Sequence, residues 1–152
     1  MDDSTYTILV VEDEENDAML LKMAFNRNGI LNPIQWVKDG VEGAAYLNGE
    51  GPYADRAQYP FPEVLILDLK MPRMGGMELL EWVRDHPDFR VIPTIIMSSS
   101  RLDLDIKKAY ELGANTYIVK PSSFDDLIRF AKSVHEYWAI SVKPRTRWAR
   151  TA

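Results

Sequence analysis

Short apolar runs recur along the chain, and the longer segments between them carry apolar residues at helical spacing. A short unbroken apolar run is typical of a strand that is buried on both faces of a parallel sheet. The predicted strands are Ile8–Val11, Ile34–Val37, the run that begins at Val64, Ile95–Met97 and Tyr117–Val119. Right-handed crossovers wind such units into one parallel sheet, so the pattern predicts an α/β fold with helices on both faces.

The segments between the strands carry the start and stop signals of helices. The predicted helices are 16–28, 41–48, the segment from the turn at 71–76 to Asp85, 103–112, and a last helix opened by Pro121 and Ser122. Gly29 and Gly113 end two of them. The loop 49–62, rich in proline and glycine, is longer than a helix-to-strand connection requires. We expect one domain over 1–140 and a basic tail without an output domain over 141–152.

Polar side chains follow four of the predicted strands directly. Glu12 and Asp13 follow the first strand, Asp68 the third, Ser98 the fourth and Lys120 the fifth. The carboxyl ends of parallel strands meet at one edge of a sheet, where open α/β folds place their sites. Carboxylates that converge there repel one another, and Mg²⁺ relieves this repulsion, whereas zinc prefers nitrogen and sulfur ligands. A carboxylate beside a metal, an ammonium and a hydroxyl can attack phosphorus, which predicts an aspartyl phosphate at Asp68.

Composition narrows the class of protein. The chain has 152 residues, enough to bury a core, and 46% of them are apolar. It contains no cysteine, which excludes disulfides and thiolate metal sites, and it has no apolar run long enough to span a membrane. All 23 acidic residues precede position 139, so the body of the chain is acidic and disfavours nucleic acid as a partner. We therefore expect a cytoplasmic protein with no membrane partner.

The motifs around the polar residues resemble the receiver domain of two-component response regulators. They are V-V-E-D-E at 10–14, L-D-L-K-M-P at 67–72, G-G at 75–76, the serine pair at 98–99 and Y-I-V-K-P at 117–121. The resemblance extends over residues 7–138. It implies the flavodoxin-like receiver fold, a five-stranded parallel sheet in the order 2-1-3-4-5.

The resemblance also implies how the acidic residues are used. It makes Asp68 the phosphoacceptor and Asp13 a direct ligand of Mg²⁺. Glu12 would hold the ion mostly through water, and Lys70 would contribute its backbone carbonyl. Many members of the family have asparagine where Lys70 stands, which leaves the rate of dephosphorylation open. Without the other strand ends, Glu12 and Asp13 would equally fit an acidic cap of the first helix.

The remaining site residues correspond to the switch of the family. The resemblance makes Ser98 the hydroxyl that moves onto the phosphoryl group, Lys120 the ammonium that pairs with it, and Tyr117 the aromatic side chain whose rotamer follows. Threonine is commoner where Ser98 stands, and serine retains the hydroxyl. On the sequence pattern alone, Tyr117 is more typical of half-buried packing.

Other segments resemble a narrower group, the single-domain response regulators that serve bacterial and cyanobacterial phytochromes. These segments are the long loop before Pro62, H-P-D-F-R-V-I-P at 86–93, the serine run at 98–100, and Tyr137-Trp138 at the end of the last helix. The resemblance implies a histidine kinase as partner, with a bacterial phytochrome as the kinase to test first.

The most favoured function is a phosphorylation-dependent switch that catalyses only its own phosphorylation and dephosphorylation. A magnesium phosphohydrolase with an aspartyl nucleophile would need a second acid at position 70, where this chain has Lys70. A flavin-binding protein would need a phosphate cradle after the first strand, where Glu12–Glu15 would repel phosphate. A transcription factor would need a DNA-binding domain, and nothing after Trp138 is long enough to form one.

The last helix also predicts a homodimer. Its main apolar stripe suffices to cover the sheet. Phe130 and Tyr137 lie seven residues apart on a second stripe, which we expect the sheet to leave uncovered, and Ile140 and Trp148 extend the apolar surplus. Apolar residues on two faces of a surface helix are typical of a partner site.

Overall fold

Strands and helices alternate along the whole described chain. The computed structural model describes residues 6–142. The strands are β1 (Ile8–Val11), β2 (Ile34–Val37), β3 (Val64–Leu67), β4 (Thr94–Ser98) and β5 (Thr116–Val119). The helices are α1 (Glu15–Arg27), α2 (Gly40–Asn48), α3 (Gly76–Asp85), α4 (Asp103–Glu111) and α5 (Phe124–Ile140). All paired strands are parallel and their order is β2-β1-β3-β4-β5, which confirms the predicted fold.

Two apolar clusters hold the helices against the two faces of the sheet. On one face, α1 and α5 pack through residues such as Phe25 and Ala131, both 0% exposed. On the other face, α2, α3 and α4 contribute Leu47, Leu80 and Ala109. Successive residues of β1 and β3 enter the two clusters alternately, because successive side chains of a strand point to opposite faces. The sheet is therefore covered on both sides, and its polar groups emerge only at its edges and ends.

Several element boundaries differ from the sequence prediction, most by one residue, and two of the differences have a clear physical reason. β4 includes Ser98, which pairs in register with Val119. Strand pairing uses backbone groups and continues past the last apolar side chain. The apolar run therefore predicted a strand that is too short. α5 begins at Phe124 rather than at Pro121, because the Ser123 hydroxyl caps the helix by accepting a hydrogen bond from the Asp126 amide at 3.1 Å.

The long loop before β3 is ordered around the end of α2. It contains a turn of 3₁₀ helix, Gly51–Ala54, and then Arg56. The Arg56 guanidinium donates hydrogen bonds of 2.8 Å to the carbonyl oxygens of Tyr46 and Leu47, in the last turn of α2. The loop thus provides a charged donor for the last carbonyl groups of α2.

The last helix agrees in part with the expectation of two apolar faces. Its main stripe packs on the cluster shared with α1. Phe130 also contacts this cluster, contrary to our expectation, because the cluster extends far enough around the helix to include it. Tyr137 is 69% exposed and Ile140 is 85% exposed, as expected. Trp148 and the basic residues of the tail lie outside the described residues.

No helix among residues 6–142 is both long enough and apolar enough to cross a membrane.

Candidate functional site

Backbone pairing brings the predicted site residues to one edge of the sheet. The Asp68 amide donates a hydrogen bond of 3.0 Å to the carbonyl oxygen of Val11, the residue before Glu12. On the other side, the Lys120 amide donates a hydrogen bond of 2.8 Å to the carbonyl oxygen of Ser98. β1, β3, β4 and β5 therefore end at the same level. Their polar side chains border a cleft of about 460 Å³.

Three carboxylates converge in this region. Oxygen atoms of Glu12, Asp13 and Asp68 all lie within 4.8 Å of one another. Glu12 is 5% exposed and Asp68 is 9% exposed. Magnesium is a hard cation that binds one or two protein carboxylates and retains several waters, and this donor set with its open cleft fits that coordination. Lys70 borders the same cleft, as its predicted backbone contribution requires.

A single ammonium group balances the carboxylates on the side of β5. Nζ of Lys120 lies 2.6 Å from Oε1 of Glu12, 2.9 Å from Oδ2 of Asp17 and 3.4 Å from Oδ2 of Asp68. The Lys120 side chain is 20% exposed. Since a primary ammonium has three hydrogens, these carboxylates occupy its whole donor capacity. The longest contact is the one to Asp68.

Burial and neighbouring charges shift the pKa values of Glu12 and Lys120. Burial raises the pKa of Glu12 to about 7; the hydrogen bond from Lys120 opposes this shift, and the charge of Asp68 adds to it. Burial alone would lower the pKa of Lys120, but its hydrogen bonds to Glu12 and Asp17 raise it well above the usual range. The site thus holds a permanent ammonium and more carboxylates than this ammonium can neutralise.

The turn after Asp68 has room only for a glycine at position 76. A Cβ atom on Gly76 would lie 2.1 Å from the carbonyl oxygen of Asp68. The Gly76 amide donates a hydrogen bond of 2.9 Å to the carbonyl oxygen of Leu69, which closes the turn. The G-G pair in the sequence therefore marks the point where α3 begins, against the backbone of Asp68.

An ion pair between a buried aspartate and a half-exposed arginine fixes the other side of this turn. Asp39, 2% exposed, caps α2 and accepts a hydrogen bond of 2.9 Å from Nε of Arg73. Arg73 has a φ of 66°, which only a few non-glycine residues adopt. The Gly40 amide donates to the carbonyl oxygen of Met74 at 2.8 Å. We call this set of contacts between Asp39–Gly40 and Arg73–Met74 the α2 latch. Sequence reasoning missed it because only the tertiary fold brings the two segments together.

Ser98 and Tyr117 are connected through the loop between β4 and α4. The Ser98 hydroxyl oxygen accepts a hydrogen bond of 3.2 Å from the Ser100 amide. The Tyr117 hydroxyl donates to the carbonyl oxygen of Ser100 at 2.9 Å. The Tyr117 amide, on the edge strand, donates to the hydroxyl of Tyr110 on α4 at 3.1 Å. The two predicted switch residues therefore share one loop residue, Ser100, and Tyr117 also contacts α4.

The structure brings most of the predicted site residues together. Glu12, Asp13, Asp68, Lys70, Ser98 and Lys120 all lie at the same end of the sheet. The sequence reasoning missed Asp17, which it assigned only to the first helix. The available signal was its position in the first turn of α1, four residues after Asp13. Phe130 and Tyr137, the predicted interface residues, lie on α5 and do not border the cleft.

A parallel sheet in this order, with an acidic cluster facing a lysine at its carboxyl edge, is the arrangement of receiver domains. The family model of the response regulator receiver domain matches residues 8–132, and the chain belongs to this family. Members of the family are signalling proteins whose acidic pocket binds Mg²⁺ or Mn²⁺. The resemblance inferred from the sequence motifs is confirmed.

The chain is similar in sequence, over most of its length, to proteins such as FilR2 and Rcp1. The probable methanogenesis regulatory protein FilR2 of Methanothrix harundinacea (strain 6Ac) is 35% identical over 133 residues, 88% of this chain and 83% of FilR2. Response regulator Rcp1 of Synechocystis sp. (strain ATCC 27184 / PCC 6803 / Kazusa) is 29% identical over 135 residues, 89% of this chain and 90% of Rcp1.

Solved structures of response regulators are also similar to the chain. The phosphorylated cyanobacterial phytochrome response regulator RcpA superposes with a TM-score of 0.84 at 31% identity, over 93% of this chain and 99% of that chain. The Mn²⁺-bound form of Rcp1 superposes with a TM-score of 0.80 at 28% identity, over 92% of this chain and 99% of that chain. The chain is thus similar to phytochrome-associated regulators within the receiver family.

Proposed function

We propose that this protein is a stand-alone response regulator that accepts a phosphoryl group on Asp68 from a histidine kinase and thereby changes its contacts with other proteins. The observation that carries the proposal is the placement of the Asp68 carboxylate, which lies beside Glu12 and Asp13 and 3.4 Å from the Lys120 ammonium. A nucleophile, a place for a hard cation and a fixed positive charge meet at one edge of the sheet.

The chemistry follows from these neighbours. An oxygen of Asp68 forms a bond to phosphorus while the bond between phosphorus and the histidine nitrogen of the kinase breaks. Mg²⁺ held by Glu12, Asp13 and Asp68 would neutralise charge on the equatorial phosphoryl oxygens. Lys120 neutralises these oxygens from the side of β5, and the Ser98 hydroxyl donates to one of them. The protein would then catalyse only its own phosphorylation and dephosphorylation.

The switch uses the loop that connects Ser98 with Tyr117. When the Ser98 hydroxyl turns towards the phosphoryl group, it no longer accepts the hydrogen bond from the Ser100 amide in its present geometry. Since the Tyr117 hydroxyl is bonded to the Ser100 carbonyl, the rotamer of Tyr117 and the position of α4 respond to the same loop. Phosphorylation therefore shifts the population between two arrangements of the α4 surface.

The partner we propose to test first is a bacterial phytochrome with histidine kinase activity. This proposal rests on the similarity to RcpA, whose name identifies it as a cyanobacterial phytochrome response regulator. We place the protein in the cytoplasm, since a chain without cysteine suits a reducing compartment. Neither a membrane nor nucleic acid is part of the proposed function.

We further propose that two copies associate through α5. Tyr137 and Ile140 lie three residues apart, so they are neighbours on the helix surface, and they are 69% and 85% exposed. Phe130 lies on the same side of the helix, but it also packs against the core. Only the part of its ring that the core leaves uncovered is available to a partner. Large apolar side chains exposed next to one another favour a partner, and a second copy presents the same surface.

The experiment that tests the phosphoacceptor compares Asp68→Asn with Asp125→Asn. Asp125 is an exposed aspartate in the first turn of α5, so its variant controls for the loss of one negative charge. We expect the wild type and Asp125→Asn to incorporate radioactive phosphate from a histidine kinase or from acetyl phosphate, in a form labile to acid and base. Asp68→Asn should incorporate none, because an amide is not a nucleophile. Equal labelling of Asp68→Asn would contradict the assignment.

A further inference from the structure

Asp17 binds the Lys120 ammonium but belongs to a different part of the fold from the other residues that bind it. Glu12 and Asp68 follow strands, whereas Asp17 lies in the first turn of α1. Its Oδ2 atom lies 2.9 Å from Nζ of Lys120, closer than the Oδ2 atom of Asp68 at 3.4 Å. The Asp17 side chain is 43% exposed. A helix thus provides a second fixed anchor for an ammonium that the strand ends hold from the other side.

Asp17 is separate from the group suited to the metal. Among the described residues, the carboxylates whose oxygens lie within 4.8 Å of one another are Glu12, Asp13 and Asp68, and Asp17 is not one of them. On the proposed function, Glu12 and Asp68 face the cation and the phosphoryl group. Their oxygens are then drawn away from Lys120. Asp17 remains as the carboxylate that binds Lys120 without a competing ligand.

The surroundings of Lys120 make such an anchor necessary. Lys120 borders a cavity of about 80 Å³, whose polar rim also includes Glu12, Asp17 and Asp68 and whose other lining residues are apolar, such as Leu20, Met97 and Leu127. The cavity leaves the lysine side chain space to change rotamer. Lysine has four flexible side-chain bonds and no rigid fork of donors, so packing alone does not fix its ammonium. A carboxylate at the polar rim of the cavity does fix it.

We propose that Asp17 is a positioning residue that holds the Lys120 ammonium where the phosphoryl group arrives, so that phosphorylation proceeds without a prior rearrangement of the lysine. The proposal rests on the proposed phosphorylation of Asp68. It differs from the simpler explanation of Asp17 as an acid that stabilises the amino end of α1, because that effect would not depend on Lys120.

The test compares Asp17→Asn, Asp17→Glu and Glu15→Gln with the wild type. Glu15 is an exposed acid in the same first turn of α1, so its variant controls for charge and for helix stability. Phosphorylation by phosphoramidate is followed at several concentrations of Mg²⁺. We expect Asp17→Asn to lower the rate at saturating Mg²⁺ about tenfold and to leave the Mg²⁺ concentration for half-maximal rate unchanged. Asp17→Glu should restore most of the rate, and Glu15→Gln should match the wild type.

A second measurement follows the lysine itself. The ¹⁵N resonance of the Lys120 side chain should show slow proton exchange in the wild type and in Glu15→Gln, and faster exchange in Asp17→Asn. Wild-type rates in Asp17→Asn, or equal losses in Asp17→Asn and Glu15→Gln, would overturn the proposal. Unchanged exchange in Asp17→Asn would overturn it as well. A wild type that takes up no phosphoryl group would contradict the proposed function, and the lysine resonance would still decide whether Asp17 holds Lys120.

Discussion

Glu12 illustrates how a single side chain serves two partners at the site. Its Oε1 atom accepts a hydrogen bond from Lys120 at 2.6 Å, and its Oε2 atom accepts one from the Glu14 amide at 3.2 Å. Its own carbonyl oxygen accepts a hydrogen bond of 2.7 Å from the indole of Trp36. Glu12 is therefore fixed in orientation, while burial favours its protonated form.

The raised pKa of Glu12 predicts a pH-dependent affinity for Mg²⁺. A carboxyl group must lose its proton to assist a cation, and the pKa of Glu12 in the metal-free protein is about 7. When the pH is below this pKa, Mg²⁺ must displace a proton from Glu12 in order to bind. The affinity for Mg²⁺ then falls by about tenfold for each unit by which the pH decreases. Calorimetric titration at about pH 6 and about pH 8 checks this. Glu12→Gln should weaken binding and flatten its pH dependence, and Glu15→Gln should do neither. Equal affinity of the wild type at both pH values would contradict the prediction.

The residues that flank the phosphoryl position predict a long-lived aspartyl phosphate. Lys70 is an ammonium and cannot accept a proton from an attacking water. Ser100 is short, and its hydroxyl donates to Asp105 and accepts from the Leu102 amide, so it is already engaged. We expect slow intrinsic loss of the phosphoryl group from purified protein. Lys70→Asn should accelerate the loss severalfold, because an amide oxygen can orient water. Loss from the wild type within seconds would refute this.

Individual elements show what the sequence could predict and what it could not. The strands were predictable because an unbroken apolar run such as Val64–Leu67 is typical of the interior of a parallel sheet, whereas their order followed only from the resemblance to receiver domains. Glu12, Asp68 and Lys120 were predictable because each directly follows such a run. Asp17 was not, since its role depends on which side of α1 faces β5.

The α2 latch predicts a difference in stability among its variants. Asp39→Ala removes a helix cap and leaves Arg73 only its longer contact to Glu42, at 3.7 Å, so we expect a loss of about 2 kcal/mol in the free energy of unfolding. Arg73→Ala should cost less than Asp39→Ala, and Arg73→Gly less again, because glycine adopts the φ of 66° without strain. Denaturant unfolding measures these values.

Arg129→Ala provides the matched control for the latch. Arg129 also pairs with an aspartate, Asp126, but its side chain is 78% exposed, so its loss should leave the free energy of unfolding nearly unchanged. If Arg73→Gly is the least stable of the latch variants, the backbone of Arg73 is not strained. If Asp39→Ala matches Arg129→Ala, the latch does not stabilise the fold.

At the scale of the whole molecule, the proposed phosphorylation site and the proposed association surface lie in different places. The cleft lies at the carboxyl edge of the sheet, whereas the exposed apolar residues lie near the end of α5 and, beyond it, at Val142, which is 99% exposed. Burying one large apolar side chain stabilises association by roughly 1.5–3 kcal/mol before the entropic costs, and a symmetric contact counts each side chain twice. This is enough for a dimer at micromolar concentration.

Light scattering at micromolar concentration tests the dimer. We expect the wild type to be dimeric and Tyr137→Glu to be monomeric, because a charge at a self-complementary contact is buried twice. Leu104→Glu is the control, since Leu104 is 81% exposed on α4, and it should remain dimeric. We avoid Phe130 as the tested position because it also contacts the core. A monomeric wild type, with and without phosphorylation, would end this part of the proposal.

The central claim is that Asp68 carries the phosphoryl group. The most direct measurement is to phosphorylate the wild type with a histidine kinase and Mg²⁺, reduce it with borohydride, and sequence its peptides by mass spectrometry. Borohydride converts an aspartyl phosphate to homoserine and leaves free aspartate unchanged. We predict homoserine at position 68 and aspartate at Asp13 and Asp17. Homoserine at either of those positions, or aspartate alone at position 68 in protein that had taken up phosphate, would contradict the account.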